Sequence, residues 1–121
     1  MDPPPRPGGA GQSDVSAAEP EFLYLTTTGR RSGRPREIEI WFTRRYGHYY
    51  VIAERGEEAQ WVRNLRAEPR VGVRAGLETF AATARVVDAV SEPELARGIR
   101  ALSERKYGWG DGLVVELTPA A

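Results

Sequence analysis

The chain changes from a polar, irregular beginning to a long stretch in which hydrophobic and polar side chains alternate. From Phe22 onwards the alternation has a period of two, which is typical of β-strands with one buried face. A turn around Gly47 separates two of these runs and predicts a hairpin. In chain order the predicted strands are FLYLTTT (22–28), REIEIWFTR (36–44), YYVIAE (49–54), RVGVRA (70–75), TFAATARVVDAV (79–90) and LVVELTP (113–119).

One segment between these strands has the spacing of an amphipathic helix. In residues 57–68, Trp61, Val62 and Leu65 share one stripe, and Pro69 ends the helix. The stripe predicts that this helix packs against the sheet.

A second helix is predicted to begin at Ser91, which forms a capping box with Glu94. The resulting order is βββαββαβ, and two helices are too few to cover both faces of an open sheet. An antiparallel sheet that closes on itself buries its inner face and removes most free edges. The pattern therefore predicts a mainly β fold: a six-stranded antiparallel barrel with helices covering its ends.

Residues 1–20 are rich in proline, glycine and alanine and contain one large aliphatic side chain, Val15. Such a segment buries too little apolar surface to offset the entropy lost on ordering, so a disordered tail is expected. Residues 21–121 are then one domain, which is the number that 121 residues favour.

The charge balance argues against a partner that is attracted by bulk charge. Lysine plus arginine and aspartate plus glutamate number 17 each, so no nucleic-acid partner is expected, and any anion site must be local. The chain has no cysteine and no apolar run near the roughly 20 residues of a membrane span. A cytoplasmic protein is the expectation.

The sequence offers few side chains for acid–base or nucleophilic catalysis. The single histidine, His48, lies beside the Gly47 turn, where a solvated side chain is expected. Clusters of histidine and cysteine that bind metals are excluded by count, and no nucleophile motif is present. If the protein is an enzyme, a bound cofactor is expected to supply the difficult chemistry.

The segment TTTGRRSGRPRE (26–37) gathers four arginines between the first two predicted strands. Gly29 and Gly33 allow a close approach of the backbone to a ligand, and guanidinium groups donate two parallel hydrogen bonds to phosphate or carboxylate. The residue types fit a site for an anion, and they also fit a solvated hairpin end that binds nothing.

The segment KYGWGDG (106–112) places two large aromatic side chains among glycines. Tyr107 and Trp109 fit a lid that stacks on an aromatic ligand, or rings that fold back onto the open end of the barrel. Asn64 on the first helix fits either a ligand contact or a surface amide.

Together, LTTTGRRSGRPREIEIWF, YYVIAERG and QWVRNLRAEPRVGVRAG resemble the deazaflavin (F420)-dependent nitroreductase family of the flavin-binding split-barrel superfamily. The resemblance covers about residues 22–118 and implies an FMN-binding split-barrel-like fold. It also implies coenzyme F420 as cofactor, with FMN as the alternative, and a homodimer. Trp41, on an otherwise polar strand face, is a candidate dimer-interface residue.

The resemblance also implies where the cofactor and the substrate bind. Glu54, with Glu57 and Glu58, departs from the family pattern by placing negative charge near an anionic cofactor. The implied cofactor-binding residues are Arg30, Arg31, Ser32, Arg34, Pro35, Arg36, Ala53, Glu54, Arg55, Gly56, Trp61 and Asn64, and the implied substrate-pocket residues are Trp41, Tyr107 and Trp109.

The expected function is an F420-dependent oxidoreductase that transfers a hydride to a quinone, an enone or a nitroaromatic compound. No side chain is assigned as catalytic, and no metal is expected. An FMN oxidoreductase of the same fold, or a non-catalytic binder of an anionic metabolite, remains open on the residues alone.

Overall fold

A computed structural model describes residues 20–120, so all of the predicted N-terminal tail except Pro20 lies outside the described residues. Within residues 20–120 the chain forms seven strands, two α-helices and a 3₁₀ turn at Gly56–Glu58. The strands are β1 (Phe22–Thr28), β2 (Pro35–Trp41), β3 (Thr43–Arg45), β4 (His48–Ala53), β5 (Arg70–Ala75), β6 (Glu78–Val86) and β7 (Leu113–Pro119), and the helices are α1 (Gln60–Ala67) and α2 (Pro93–Tyr107).

The strands form one antiparallel sheet in the order β2-β1-β5-β6-β7-β4-β3. The two edge strands, β2 and β3, follow each other in the chain and are separated only by Phe42. The sheet therefore curls until the chain itself joins its two edges, which gives a mainly β split barrel, as the sequence predicted.

The strand count is seven rather than six because the predicted strand over residues 36–44 is broken at Phe42. The backbone carbonyl of Phe42 accepts hydrogen bonds from the Tyr107 hydroxyl at 2.7 Å and from Lys106 Nζ at 2.9 Å. The Phe42 N–H donates to the same hydroxyl at 3.1 Å. The backbone N–H and C=O groups of Phe42 thus form hydrogen bonds with side chains of α2, and the chain bends between β2 and β3.

The inner face of the barrel carries the larger hydrophobic cluster. Leu23 and Leu25 of β1 are fully buried there, and Leu65 reaches the same cluster from α1. Ile38, Ile40 and Trp61 pack at its margin and remain partly exposed. The alternation that predicted β1 and the stripe that predicted α1 both correspond to this core.

Helix α2 lies on the outer face of the sheet, so the prediction that both helices cover the barrel ends is wrong for α2. Ile99 of α2 packs against Ile52 and Val114, whereas the neighbouring Val51 and Val115 point into the barrel. Strands β4 and β7 are therefore apolar on both faces, and the outer face needs a helix to cover it.

Three other predicted boundaries change. Helix α2 begins at Pro93 with Glu92 as N-cap, and no side chain caps it, so the capping box at Ser91 is wrong. The predicted helix over residues 57–68 is divided into the 3₁₀ turn and α1, and β6 ends at Val86 rather than at residue 90. Among the described residues, no helix is long and apolar enough to cross a membrane.

Candidate functional site

The arginine-rich segment forms a tight turn between β1 and β2. The N–H of Gly29 donates to the Arg34 carbonyl at 2.8 Å, and the N–H of Gly33 donates to the Gly29 carbonyl at the same distance. A Cβ on Gly29 would lie 2.8 Å from the Ser32 hydroxyl oxygen, so no larger residue fits there without a shift. Gly33 has φ +74°, a conformation that favours glycine. Both glycines are therefore required by the geometry of the turn.

Asn64 of α1 anchors this turn to the barrel. Its side-chain oxygen accepts hydrogen bonds from the Arg30 N–H at 3.2 Å and from Arg30 Nη1 at 2.8 Å. Its amide nitrogen donates to the Thr27 hydroxyl at 3.2 Å. Asn64 is 5% exposed and Thr27 is 1% exposed. The asparagine is thus a buried bridge that positions the turn, and Arg30 is committed to it.

Three other arginines of the turn point their charge to solvent. Among the described residues, the guanidinium groups of Arg31, Arg34 and Arg36 form no hydrogen bond or ion pair. Arg36 is paired with Thr27 in the sheet and lies on the same face of β2 as Ile38, about 7 Å further along the strand. These cations are therefore available to an anion beside the barrel.

A cleft of about 1280 Å³ opens where the barrel is split, between β2 and the end of β4. Strand β3 pairs with β4 only over His48–Tyr50, so no strand pairs with this edge of β4 from Val51 to Ala53 in the described part of the chain. Alternate peptide groups of a strand point to opposite edges, so part of this edge faces the cleft. The principal lining residues are Ile38, Ile40, Trp41, Ala53, Trp61, Tyr107 and Trp109.

Aromatic rings form one wall of the cleft. The Trp41 and Tyr107 rings stack with centroids 4.4 Å apart and an interplanar angle of 4°, and Trp109 meets Trp41 edge-on at 6.4 Å. The Tyr107 hydroxyl oxygen also lies 2.6 Å from the Glu21 carbonyl, which shares the single hydroxyl proton with the Phe42 carbonyl, so Tyr107 ties the end of α2 to the start of β1. The base of the wall is therefore held by hydrogen bonds to the backbone of β1 and of Phe42.

Carboxylates lie along the rim of the cleft. Glu39, Glu54 and Glu58 contribute to its lining together with Arg55, whose guanidinium is 3.9 Å from Glu58 in an exposed pair. Glu57 points away and binds Arg66, and the hydrogen bond from Arg66 lowers the pKa of Glu57 despite a small opposing effect of desolvation. Of the three glutamates that depart from the family pattern, two therefore face the cleft.

The chain matches the model of a known protein family over most of its length. The family model described as F420H(2)-dependent quinone reductase matches residues 9–110, which is most of the chain. The chain belongs to the F420H(2)-dependent quinone reductase family.

Three curated relatives of the chain come from mycobacteria. F420H(2)-dependent quinone reductases of Mycobacterium tuberculosis are 32% identical to the chain over 81 residues, which is 64% of the chain and 54% of the relative. A protein of Mycobacterium bovis named for the same activity matches over the same share. The chain thus spans about half the length of these quinone reductases.

Solved structures support the fold of this family member. HutZ, the heme storage protein of Vibrio cholerae, superposes with a TM-score of 0.69 at 23% identity and covers 84% of this chain and 82% of its own. The F420-H2-dependent reductase FDR-A superposes with a TM-score of 0.58 at 24% identity, covering 80% and 93%. At these identities the likeness shows the fold alone.

In this family member the structure brings part of the predicted site together. Trp41, Tyr107 and Trp109 form one wall, as a shared pocket requires, and Ala53, Glu54, Arg55 and Trp61 also line the cleft. Gly56, Asn64 and residues 30–36 do not line it. Within the turn, the Ser32 hydroxyl accepts from the Arg34 N–H at 3.1 Å, and Pro35 opens β2.

Sequence reasoning missed a polar network beside the cleft. The Tyr50 hydroxyl donates to Glu116 at 2.8 Å, and Arg85 donates to the same carboxylate at 2.9 Å while also binding Glu92 at 2.6 Å. Burial and the hydrogen bond to Glu116 raise the pKa of Tyr50 well above its usual value. Burial alone would raise the pKa of Glu116, but the hydrogen bonds from Arg85 and Tyr50 lower it.

His48 lies in this neighbourhood and not in a solvated loop. It is the first residue of β4, is partly buried, and its Nδ1 lies 3.0 Å from the Thr118 hydroxyl. The described residues hold no group of three or more histidine, cysteine, aspartate or glutamate side chains that could bind a metal ion.

Proposed function

We propose that the chain binds coenzyme F420 across the cleft and the arginine turn and transfers a hydride from its reduced form to a quinone-type acceptor. Family membership supports F420 over the FMN alternative. The acceptor class is supported by the activity for which the mycobacterial relatives are named. Enones and nitroaromatic compounds remain acceptors to be tested.

The proposed site for the cofactor's acidic tail rests on Arg31, Arg34 and Arg36, which are unpaired among the described residues. A phosphate or carboxylate beside β2 gains charge-assisted hydrogen bonds from Arg31, Arg34 or Arg36 without breaking any interaction within the described residues. The turn is held in place by Asn64, so these cations lose little freedom when they bind. The residues present therefore fit a ligand with a flat ring and a polyanionic end.

The residues of the cleft fit the flat part of the same ligand. The unpaired edge of β4 offers peptide groups, and Ile38, Ile40 and Trp61 offer apolar surface. The wall formed by Trp41 and Tyr107 offers a second flat surface, on which an aromatic acceptor can stack. When bound, the reduced deazaflavin supplies the hydride, so the protein's own side chains need only orient the two rings and exclude water.

Tryptophan fluorescence tests the proposal directly, because all three tryptophans of the chain line the cleft. Titration with F420 should give saturable quenching that weakens as salt is added, since the arginine contacts are exposed. Arg31→Ala and Arg34→Ala should each weaken binding by about tenfold. Arg97→Ala, at an exposed arginine of α2, is the matched control and should bind like the parent chain. The absence of saturable quenching at micromolar F420 would refute the proposal.

Turnover distinguishes an oxidoreductase from a non-catalytic binder of an anionic metabolite. Oxidation of reduced F420 should depend on an added quinone and should fall in Arg31→Ala. Saturable binding of F420 without turnover of a quinone, an enone or a nitroaromatic compound would favour the binder.

A homodimer and a cytoplasmic location stay predictions. One structural neighbour with a TM-score of 0.58 and 24% identity is described as a domain-swapped dimer. Trp41, the candidate interface residue, is partly covered by Tyr107 of its own chain. Light scattering of the purified protein tests the dimer, and a monomer mass would refute it.

A further inference from the structure

Part of the lining of the cleft is buried between the sheet and α2. This part, the floor of the cleft, is formed by Thr43 of β3, Tyr50 and Ile52 of β4, and Ser103 of α2, and each of these residues is at most 8% exposed. Tyr50 and Ile52 belong to the outer hydrophobic cluster that α2 covers. Thr43 is paired with Tyr50 across the two strands, so its side chain lies on the same face of the sheet. The floor therefore extends the cleft beneath α2.

The floor adjoins the aromatic wall of the cleft. Ser103 and Tyr107 are four residues apart and therefore lie on one side of α2. The Ser103 hydroxyl donates to the Trp109 carbonyl at 2.5 Å, which holds Trp109 close to the floor. An acceptor whose ring stacks on the wall can therefore reach the floor with one edge.

The hydroxyl groups around the floor differ in whether they have a partner. The Tyr50 hydroxyl donates to Glu116 at 2.8 Å, and those of Ser103 and Tyr107 donate to backbone carbonyls. Thr43 is 5% exposed, and its Oγ1 has no hydrogen-bond partner among the described residues. Native structures rarely leave a buried hydroxyl unpaired without a ligand, a water molecule or an ion nearby. The Thr43 hydroxyl is therefore available to a group that enters the floor.

The composition of the floor indicates which kind of group can enter. Its side chains are alkyl, phenol and hydroxyl groups, and none of them carries a charge that could pair with an ion. Burying a carboxylate or a phosphate there would be costly, whereas a neutral oxygen that accepts one hydrogen bond would be satisfied. A carbonyl oxygen on a flat ring fits both the floor and the wall.

We propose that the Thr43 hydroxyl donates a hydrogen bond to a carbonyl oxygen of the quinone acceptor, whose ring stacks on the aromatic wall. This inference rests on the proposed function, because it gives the acceptor a place within the same site. Negative charge grows on the carbonyl oxygens as a quinone is reduced, so the hydrogen bond becomes stronger as the hydride arrives. Thr43 binds and orients the acceptor and transfers no proton to it.

Two matched ligands test the hydrogen bond by binding alone. 1,4-Naphthoquinone and naphthalene share a fused pair of rings, but only the quinone has carbonyl oxygens. The chain has no cysteine that could react with the quinone. Binding to the ¹⁵N-labelled full chain is followed by the indole N–H signals of Trp41 and Trp109, with and without saturating oxidised F420. Thr43→Val should weaken binding of naphthoquinone by about tenfold and leave binding of naphthalene unchanged.

Two other variants and a measurement of stability serve as controls. Thr43→Ser keeps a hydroxyl and should bind naphthoquinone like the parent chain. Thr83→Val makes the same chemical change at an exposed threonine of β6 outside the cleft, and it should bind both ligands like the parent chain. Thr43→Val should melt no lower than the parent chain, because it removes a buried hydroxyl that has no partner.

Four results of these measurements would each overturn the inference. They are the absence of saturable naphthoquinone binding in both conditions, unchanged naphthoquinone binding in Thr43→Val, and equal weakening of both ligands in that variant, which would indicate altered packing. The fourth is a lower melting temperature of Thr43→Val, which would show that the hydroxyl already has a partner.

Turnover distinguishes this inference from the proposed function. With reduced F420, kcat/KM for 1,4-naphthoquinone should fall about tenfold in Thr43→Val while the affinity for F420 stays unchanged. Equal kcat/KM values in the parent chain and Thr43→Val would overturn the inference and leave the proposed function standing. Binding of naphthoquinone that depends on Thr43, without oxidation of reduced F420, would support the carbonyl site and contradict the proposed function.

Discussion

Replacing Asn64 with alanine tests how the arginine turn is held. The substitution removes the acceptor of two hydrogen bonds from Arg30 and the donor of the bond to Thr27. Thr27 is 1% exposed, so its hydroxyl would lose its partner without gaining water, which costs about 1–3 kcal/mol. The bonds from the partly exposed Arg30 add about 1 kcal/mol, because its donors can turn to solvent.

The free energy of unfolding should therefore fall by about 2–4 kcal/mol in Asn64→Ala. A change of this size lowers the melting temperature by at least about 8 °C in a domain of this length. Urea unfolding and calorimetry measure both quantities. Affinity for F420 should fall as well at a temperature where the variant is folded, because the turn loses its anchor.

Two further variants separate the buried bridge from a general effect of changing α1. Arg63→Ala is the neighbouring exposed position, where the side chain donates to the Glu57 carbonyl at 3.2 Å, and it should change stability by no more than about 0.5 kcal/mol. Adding Thr27→Val to Asn64→Ala removes the orphaned hydroxyl and should recover about 1 kcal/mol. Equal free energies of unfolding for Asn64→Ala and Arg63→Ala would refute this explanation. It would also be refuted if Thr27→Val destabilised Asn64→Ala by as much as it destabilises the parent chain.

Three other substitutions have defined outcomes. Tyr107→Phe keeps the ring on Trp41 but loses the hydroxyl, so the free energy of unfolding in urea should fall by about 1–3 kcal/mol. The KM for the quinone should rise while the affinity for F420 stays unchanged, and a lower affinity for F420 would contradict this. Gly29→Ala places a Cβ 2.8 Å from a side-chain oxygen of the turn and should weaken F420 binding by about tenfold in the fluorescence titration, whereas Gly47→Ala, in a remote hairpin, should lower stability alone. The pKa of Glu116 is lowered by folding, so its contribution to stability is present above its ordinary pKa of 4.5 and is lost as the pH falls below that value. The urea midpoint of Glu116→Gln should therefore vary less between about pH 6 and pH 3.5 than that of the parent chain, and an equal variation would contradict the assignment.

Local patterns predicted most of the sheet. The predicted first, fourth and last strands coincide with β1, β5 and β7, since β1 and β5 alternate clearly and all three are bounded by turns or loops. The hairpin at Gly47 formed as predicted because Gly47 adopts a positive φ of 80° between β3 and β4.

The sequence failed to predict features that depend on contacts between distant residues. Alternation continues through Phe42, and only the side chains of Lys106 and Tyr107 reveal why the strand breaks there. The start of α2 was wrong because two signals compete: Ser91 with Glu94 resembles a capping box, but Pro93 favours the first helical position.

The candidate site was predictable by residue type but not by role. The aromatic and arginine segments were recognised from composition. Nothing in the sequence indicates that Asn64 is buried and engaged with Thr27 and Arg30, because an amide on an amphipathic helix fits the surface equally well. The link between Tyr50 and Glu116 joins residues 66 positions apart and could not be predicted from local pattern.

The bend at Phe42 makes the cleft dependent on α2, which lies far from β1 and β2 in the sequence. The hydrogen bonds that hold it join positions 64, 65 and 86 residues apart, so each requires a long loop to close before it can form. The aromatic wall should therefore assemble after the β1–β2 hairpin and open before the inner sheet does when the protein is heated or stressed. A ligand that bridges the split would connect β2 and the end of β4, where the barrel is expected to open first. Its binding should slow amide exchange there more than anywhere else in the barrel.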